Sequence, residues 1–557
     1  MRLTPVRPSL RPHPAGPVRG SRRGPGQLVG VVTVLGAVLL LVALGTEEAA
    51  GQTYSSEPLF GPLVPAGHVR FGFDPIFASW DRRFGVDADG NEALEYLSDD
   101  LTSGFGTNLF PGTATLRSGF EAVTGGSTIP LALGTTRASI TKNITRLELG
   151  AHVGIFDWLT VGAMMPWVRT RTALDVLYDP AVNPTLGLNP TLEDPDAVTG
   201  YLTSLSDTEA SAALRSETIC GPDPTSSGCA SAQAIAQRAS DFAGATTQMY
   251  MASAFFLLAN SSAAVAFREA QEAFVAELSE AGVSAPGDPV FSGTPVDREL
   301  FFDLPTRGDV GLVGSNLGDV NSLWTTGDME VEAVVRVLEG EQRDSGAVHP
   351  RLAWTLAGGA RVRLGTGISE DPDVFLDVGT GDGQMDMEGF AYGALRVGRW
   401  LALRASGRYG VQGSTTVERR VAPPETVLAP ASSRAVLTWT PGDYLDVIVS
   451  PRIHVTETLA VAVDYRRFHK GSDRFELGNG VEGLDPTVLE LESEHTAQEV
   501  AVGLRYATRA LWARGETGSP FQASARLLWT PSGLGGQTPE TRRVEVGIRL
   551  FRRLWGG

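Results

Sequence analysis

The feature that most constrains the fold of this chain is an alternation of apolar and polar residues. In Leu147–Trp167 every second residue is apolar, on both sides of the turn Phe156-Asp157-Trp158. Successive side chains of a strand point to opposite faces, so a period of two predicts two antiparallel strands. One face is apolar and the other carries charge. How often the pattern recurs decides whether the apolar face meets lipid or a soluble core.

The alternation recurs often enough to predict twelve strands. Their predicted positions are 68–84, 135–155, 158–177, 328–339, 351–364, 384–397, 401–409, 445–455, 459–466, 500–506, 521–529 and 544–550. The connections after strands two, six and eight are very short, whereas those after one, three, five, seven and nine are long. Even strand number with alternating short turns and long loops is typical of transmembrane barrels. We therefore predict an all-β transmembrane barrel of about twelve antiparallel strands, with both termini on the periplasmic side.

Aromatic residues lie near the predicted strand ends, as in the interfacial girdles of membrane barrels. They are Trp158, Trp167, Trp400, Tyr409, Tyr465, Tyr506 and Trp529. The alternative is a large soluble all-β protein with these aromatics in its core. Because lipid offers no hydrogen bonds, a sheet that crosses a membrane must close on itself, which an even set of strands with short turns permits.

The N-terminal region predicts an export signal. Six arginines without acids precede the apolar stretch Leu28–Leu44, and Ala49-Ala50-Gly51 offers small residues for cleavage. We predict a signal peptide over 1–51, cleaved near Gly51, and an outer-membrane location in a Gram-negative-type bacterium. An uncleaved membrane anchor is the alternative. Residues 52–66 are expected to form a short exposed lead-in, and 52–177 to contain strands one to three.

The two cysteines, Cys220 and Cys229, enclose eight residues rich in Gly and Pro. In an exported chain this spacing predicts a disulfide. Both lie in an insertion, 178–327, where the period of two is lost between strands three and four. Helices are expected over 207–216 and 232–259, and a third after Ser261-Ser262. This insertion is predicted either to plug the barrel or, slightly favoured, to cap it outside; 328–557 supplies strands four to twelve.

The polar face predicts what would line the lumen. It carries twelve arginines, seven acids and His152, although the net charge of the chain is −18. The arginines are Arg146, Arg336, Arg351, Arg361, Arg363, Arg404, Arg408, Arg452, Arg466, Arg505, Arg526 and Arg549; the acids are Glu148, Glu330, Glu332, Asp446, Asp464, Glu499 and Glu545. An arginine-rich lumen favours anions. The alternative is a narrow interior that arginine–carboxylate pairs largely fill.

Part of the sequence resembles a known family of outer-membrane barrels, the one associated with meta-pathway phenol degradation. The resemblance rests on Gly327–Gly340 (GDMEVEAVVRVLEG) and Val374–Gly389 (VFLDVGTGDGQMDMEG), and on turns such as Thr456-Glu457-Thr458-Leu459. It covers about 135–177 and 328–557 and does not extend to the insertion. It implies a barrel that takes up small, aromatic or hydrophobic compounds.

No motif for catalysis, nucleotide binding or zinc is present in the sequence, and the acidic charge argues against a nucleic-acid partner. The acids Asp371, Asp373, Asp377, Asp382 and Asp386 lack the register of a calcium loop, so an ordinary solvated loop is favoured there. His454 and Ser450 are about 13 Å apart along a strand, too far for a catalytic pair.

We therefore predict a channel without enzymatic activity, ATP or cofactor, which passes small aromatic, hydrophobic or anionic solutes. The expected partners are the lipid bilayer, the solute, and the barrel-assembly and periplasmic chaperone machinery. The alternative is a structural or surface-interaction protein whose barrel anchors the helical insertion.

Overall fold

Twelve antiparallel strands form one closed barrel, as predicted. The computed structural model describes residues 61–86, 92–102, 110, 112–182, 184–343, 345, 350–424, 426–478, 483–535 and 538–555; the predicted signal peptide lies outside them. Each strand pairs with its neighbours in the chain, and the barrel closes where β12 pairs with β1. The strands are β1 His68–Trp80, β2 Thr135–Phe156, β3 Leu159–Asp179, β4 Met329–Gln342, β5 Leu352–Leu364, β6 Asp386–Val397, β7 Leu401–Gln412, β8 Tyr444–His454, β9 Leu459–Lys470, β10 His495–Ala507, β11 Phe521–Leu534 and β12 Arg542–Arg553.

The alternation in the sequence separates an apolar outer wall from a charged interior. On β2, Leu149 is 49% exposed, whereas its neighbour Glu148 is 1% exposed. The same inversion holds on β8, where Leu445 is exposed and Asp446 is buried. A barrel that is apolar outside and charged inside is suited to a lipid surrounding.

The predicted girdle aromatics are all exposed on the outer wall. Trp158 and Trp167 are nine residues apart, as are Trp400 and Tyr409. Nine residues span about 30 Å along a strand, which a typical tilt of about 40° reduces to roughly 23 Å of barrel height. The two aromatic levels are therefore separated by about the apolar band of an outer-membrane barrel.

The two ends of the barrel differ. One end, here called the turn end, carries the start of β1, the end of β12 and the short turns around Asp157, Arg399 and Glu457. The other, the loop end, carries the long connections, including a three-stranded sheet of Thr415–Arg420, Arg434–Thr440 and Arg474–Leu477. The remaining short pairs there are Arg82–Val86 with Glu92–Tyr96 and with Thr538–Pro539, and Val320–Asn321 and Thr325–Thr326 with β3.

A helical unit occupies the loop end beside β2 and β3. Its helices are α1 Thr113–Thr124, α2 Pro195–Cys220, α3 Ser227–Ala252, α4 Ser262–Ala281 and α5 Arg298–Asp303, and a short helix, α6 Arg509–Ala513, lies apart at the turn end. The disulfide between Cys220 and Cys229 joins the ends of α2 and α3, as predicted. Ser261 caps α4 by accepting a hydrogen bond from the Ala264 N–H at 3.2 Å. Among the described residues, no helix has both the length and the apolarity that a bilayer span requires.

The core of the helical unit is aromatic. Tyr250 stacks on Phe256 with ring centroids 4.0 Å apart, and Phe242 stacks on Phe274 at 4.5 Å. The phenol of Tyr201 donates a hydrogen bond to Gln271 Oε1 at 2.6 Å. Burial raises the pKa of Tyr201 and that of Tyr250 above their ordinary value. The unit therefore folds as an ordinary soluble core does, with apolar groups inside.

Several sequence expectations about this end were wrong. The stretch 85–133, expected to be loop, contains α1, whose Gly119 lies so close to α3 that an added Cβ would approach Met249 Cγ within 2.5 Å. The helix expected to reach 259 ends at Ala252 and is followed by the buried strand Phe255–Leu257, which pairs with Leu186–Leu188. Leu116, Phe120 and Val123 of α1 do follow helical spacing, which the sequence expectation overlooked, whereas the end of α3 was decided by the pairing of the strand that follows it.

The lead-in was also expected to be exposed, but its described part, 61–67, folds back into the turn end of the lumen. The Val64 N–H donates a hydrogen bond to Thr160 Oγ1 at 2.9 Å, and Leu63 packs against the inward-facing Phe390 and Tyr392. Gly154 has to be glycine there, because a Cβ would lie 2.2 Å from the carbonyl oxygen of Pro65. This segment therefore narrows the lumen at the turn end.

Candidate functional site

The predicted lumen-lining residues lie on the inner face of the barrel. Most are nearly inaccessible: Glu148, Glu330, Glu332, Arg361, Arg363, Arg408, Asp446, Arg452, Asp464, Glu499, Arg505, Arg526, Glu545 and Arg549. Arg146, His152, Arg336, Arg404 and Arg466 are partly buried, and Arg351 is exposed beyond the start of β5. Strand alternation places them together because all occupy the phase opposite to the lipid-facing one.

Many of these side chains form one belt of alternating charge around the interior. It runs from Glu332 on β4 to Glu545 on β12 and returns through Arg526 to Asp464 on β9. Each acid contacts at least one arginine of a nearby strand. In order, the belt is Glu332, Arg361, Glu388, Arg408, Asp446, Arg466, Glu499, Arg543, Glu545, Arg526 and Asp464. Buried ions of this kind are tolerated because each is paired.

Between β4 and β6 two arginines contact several acids. Arg361 lies 2.7 Å from a carboxylate oxygen of Glu332 and 3.2 Å from one of Glu330. Arg363 contacts Asp386 at 2.9 Å. On the other side of β4, His152 Nε2 lies 2.8 Å from Glu332 Oε1. Arg361 on β5 therefore links its strand to β4 through two carboxylates, Glu330 and Glu332.

Charge is segregated between the two halves of the lumen. The acidic wall, formed by β4 to β6 and the loop before β6, buries six acids and two arginines: Asp328, Glu330, Glu332, Asp382, Asp386, Glu388, Arg361 and Arg363. The basic wall, formed by β7 to β12, carries eight arginines and four acids: Arg404, Arg408, Arg452, Arg466, Arg505, Arg526, Arg543, Arg549, Asp446, Asp464, Glu499 and Glu545. A charged solute would therefore meet opposite fields on the two sides.

Arginines of the basic wall converge near the turn end. Arg404, Arg452 and Arg505 lie on β7, β8 and β10, close enough for their charges to interact, with Arg396 and Arg509 beyond them. Arg452 Nε donates a hydrogen bond to Ser450 Oγ at 3.2 Å. This group, called here the turn-end arginines, is the most cationic part of the described lumen.

Sequence reasoning missed part of the lumen, which changes the predicted charge balance. Five further acids, Asp74, Asp328, Asp382, Asp386 and Glu388, are buried on the inner face, together with two further buried arginines, Arg70 and Arg543, and the half-buried Arg396. The phase of strand six was ambiguous because Met387 and Tyr392 are both apolar, yet the first faces out and the second faces in. The arginine excess is therefore smaller over the whole lumen than the sequence predicts, and it is concentrated in the basic wall.

The five aspartates of the loop between β5 and β6 do not act as one group. Asp373 pairs with Arg420 at 2.9 Å and with Arg434 at 2.5 Å, and Asp377 accepts a hydrogen bond from the Asp371 N–H at 3.0 Å. Asp382 and Asp386 instead line the acidic wall. This loop also packs Phe375 into the core of the helical unit, so it ties that unit to the barrel.

The structure places no catalytic pair at His454 and Ser450. Among the described residues, Ser450 bonds to Arg452 and has no hydrogen bond with His454. No group of three His, Cys, Asp or Glu side chains within metal-binding range occurs in the part of the chain that the structure describes. The predicted absence of enzymatic activity stays a prediction.

No family model and no curated protein matches this chain. Among solved structures, it is similar to an outer membrane channel from Pseudomonas putida F1, at 9% identity over 90% of this chain and 100% of the other, with a TM-score of 0.40. The CymD monoaromatic hydrocarbon channel matches at 8% identity over 88% and 89% of the chains, with a TM-score of 0.23. The transport unit of the autotransporter AIDA-I from Escherichia coli matches at 7% identity over 86% and 89%, with a TM-score of 0.28. At these identities and TM-scores the likenesses carry no conclusion about function.

Proposed function

We propose that this protein is an outer-membrane channel through which small solutes pass passively, without ATP or a cofactor. One observation carries the proposal: the barrel is apolar on its outer wall and charged along its interior. A soluble protein would gain nothing from this inversion, whereas a lipid-embedded one needs it to keep a polar interior. The bilayer is then its main partner, and assembly by barrel-assembly and periplasmic chaperone machinery stays a prediction.

The belt and the lead-in segment make the path narrow. The side chains of the belt extend inward from the wall, and Leu63 and Val64 fill space at the turn end. Narrow pores lined by charge pass small solutes with low conductance. We therefore expect small, discrete conductance steps rather than those of a wide general porin.

We further propose that small organic anions, aromatic ones included, are the preferred solutes. The turn-end arginines offer several guanidinium groups on one side of the path, and arginine binds carboxylates bidentately and stacks on aromatic rings. The acidic wall lies nearer the loop end, so it does not cancel this field locally. The resemblance to phenol-degradation barrels is consistent with aromatic solutes.

Planar-bilayer recording of the purified full chain in a salt gradient tests both points. We expect measurable conductance with a reversal potential that favours anions. Arg404→Gln should reduce the anion preference, whereas Arg238→Gln, which alters an exposed pair with Glu277 on the helical unit, should leave it unchanged. Cation preference would overturn the anion proposal while keeping the channel.

A second candidate function is an anchor that displays the helical unit. The observation that favours it is the belt, whose members are paired around most of the interior. Liposome swelling with a panel of solutes separates the two: an anchor gives no swelling with any solute. In either case we propose that the helical unit caps the outer mouth, since its described contacts are with the loop end.

A further inference from the structure

Two buried aspartates adjoin each other at the loop end of the acidic wall. Asp328 directly precedes β4, and Asp382 lies in the loop before β6; both are buried. A backbone hydrogen bond from Asp382 joins the two residues, its N–H donating to the Asp328 carboxylate at 3.1 Å. Asp328 also accepts a hydrogen bond from the Gly367 N–H at 2.9 Å. The loop is therefore folded around the Asp328 carboxylate.

The backbone approaches this pair very closely. A Cβ on Gly381 would lie 2.5 Å from Asp328 Oδ1, so only glycine leaves room for the carboxylate. Gly383 has a φ of +67°, which bends the chain between Asp382 and Gln384. The side chains of Asp382 and Gln384 are consequently directed inward, at 3% and 2% exposure, whereas Met385 points outward at 49% exposure.

Polar atoms beside the pair lack partners. Within the described part of the chain, neither Oε1 nor Nε2 of Gln384 has a hydrogen bond, and Asp382 Oδ1 and Asp386 Oδ1 have none either. Buried polar atoms of native proteins are almost always satisfied, by protein, water or an ion. An unpartnered buried amide two residues from Asp382, together with an unpartnered oxygen of Asp382 itself, therefore indicates that a ligand is bound at this place.

The local charge indicates the sign of that ligand. Arg363 serves Asp386 at 2.9 Å and also Glu330 at 3.4 Å, and neither Asp328 nor Asp382 has an ion pair among the described residues. Two buried carboxylates on adjoining residues are costly to keep ionised without a counter-charge. A proton shared between them would supply it but would leave the Gln384 amide unsatisfied, whereas a cation would use the amide oxygen.

We propose that Asp328, Asp382 and Gln384 bind one hard divalent cation, with Ca²⁺ as the best-suited ion, at the loop end of the lumen. Carboxylate, amide and backbone carbonyl oxygens are the ligands that Ca²⁺ takes, usually six to eight of them. Because no third acid of the described residues lies within metal-binding range, backbone carbonyl and water oxygens complete the shell. The bound ion fastens the loop between β5 and β6 to the start of β4.

Equilibrium dialysis of the purified full chain in detergent, stripped with chelator and then given Ca²⁺, tests the site. We expect one Ca²⁺ per chain and a higher thermal transition when Ca²⁺ is present. Asp382→Asn should weaken binding by about tenfold or more, the scale of losing a ligand-shell group. Asp371→Asn, an exposed position of the same loop, is the matched control and should bind as the wild type does.

Wild-type protein that binds no Ca²⁺, or that gains stability only on acidification, would overturn the proposal in favour of a shared proton. Equal binding by wild type and Asp382→Asn would also overturn it, because the ion would then lie elsewhere. If Asp382→Asn does not fold, Gln384→Leu keeps both carboxylates and should still weaken binding. The experiment measures Ca²⁺ binding and thermal stability and not channel conductance. Its outcome is therefore independent of whether the proposed channel function is correct.

Discussion

Leu403 on the barrel wall and Phe267 in the helical unit are both apolar, yet the first is 43% exposed and the second 0%. Charged residues show the reverse: Arg361 is buried in the lumen, whereas Arg238 is exposed on α3. The barrel and the helical unit therefore have opposite distributions of polarity within one chain. Each distribution is the stable one for its surroundings, lipid outside the barrel and water outside the unit.

This contrast shows that burial of apolar side chains away from water stabilises the helical unit but does not stabilise the interior of the barrel. The helical unit is stabilised by burying aromatic side chains such as Phe267 and Tyr250. The barrel has its backbone hydrogen bonds closed into a ring and its interior charges paired. Substitutions should therefore have opposite consequences in the two regions.

The largest effect is expected when charge enters the helical core. Phe267→Asp would bury an unpaired carboxylate among aromatic rings, which should cost about 5 kcal/mol or more. Helical circular dichroism should fall while the barrel keeps its heat-modifiable migration on gels. Loss of both signals together would show that the helical unit and barrel fold as one cooperative unit.

Next in size is the removal of charge from the lumen. Arg361→Met leaves the carboxylates of Glu330, Glu332 and Glu388 without this partner, and losing one side of a buried pair costs about 3–5 kcal/mol. Denaturant unfolding of the barrel in detergent measures the change. The matched control is Arg171→Met, whose pair with Asp319 is exposed and should contribute less than about 1 kcal/mol.

A charge on the lipid-facing wall should have a smaller effect. Leu403→Arg lies between the aromatic levels of Trp400 and Tyr409, where it should destabilise the barrel in bilayers by about 2 kcal/mol. The same change at Leu214, 65% exposed on α2, should stay within about 0.5 kcal/mol. Equal effects at the two positions would contradict a lipid surrounding for the outer wall.

The disulfide should stabilise only the helical unit. Replacing Cys220 and Cys229 by Ser frees a loop of about ten residues, and loop-closure entropy gives roughly 2–3 kcal/mol. Thermal melting of the helical signal should shift down while barrel unfolding stays unchanged. A shift in barrel unfolding would mean that the hairpin of α2 and α3 also supports the barrel.

The smallest effect is expected from ionisation of the buried phenols, which leaves the stability of the helical unit unchanged at neutral pH. Burial raises the pKa of Tyr201 and Tyr250 above the ordinary 10.0, so the unfolded unit ionises them first as pH rises. Their contribution to stability is therefore complete below pH 10 and is lost above it. Phenolate absorbance should rise together with loss of helix; phenolate formation in the folded unit would contradict this burial.

Much of the barrel could be predicted from the sequence because a period of two is a local property. The twelve strands and the inward positions of Glu332 and Arg361 follow from alternation alone. Alternation does not assign the facing of residues where a strand contains a bulge or carries apolar residues on both faces. Gln498, which breaks the phase of strand ten, sits at a bulge and accepts a hydrogen bond from the exposed Tyr465 phenol at 3.0 Å. Strand six stayed ambiguous because both of its faces carry apolar residues.

The helical unit was less predictable. Helix α1 is short and lies within a long polar connection, and it is fixed by contact with α3, which lies more than a hundred residues away in the chain. The inward fold of 61–67 likewise depends on Thr160 and Phe390, neither of them close in sequence. Long-range contacts of this kind leave no periodic signal.

The sequence by itself determined that this chain builds a barrel of twelve strands with an apolar wall and a charged interior, and that its insertion is helical with a disulfide. The tertiary structure alone decided which charges meet: the belt from Glu332 to Glu545, the separation of acidic and basic walls, and the hydrogen bond that joins Asp382 to Asp328. The physical reason is range. Alternation is set by adjacent residues, whereas a charge pair is set by the register of strands that are distant in the chain.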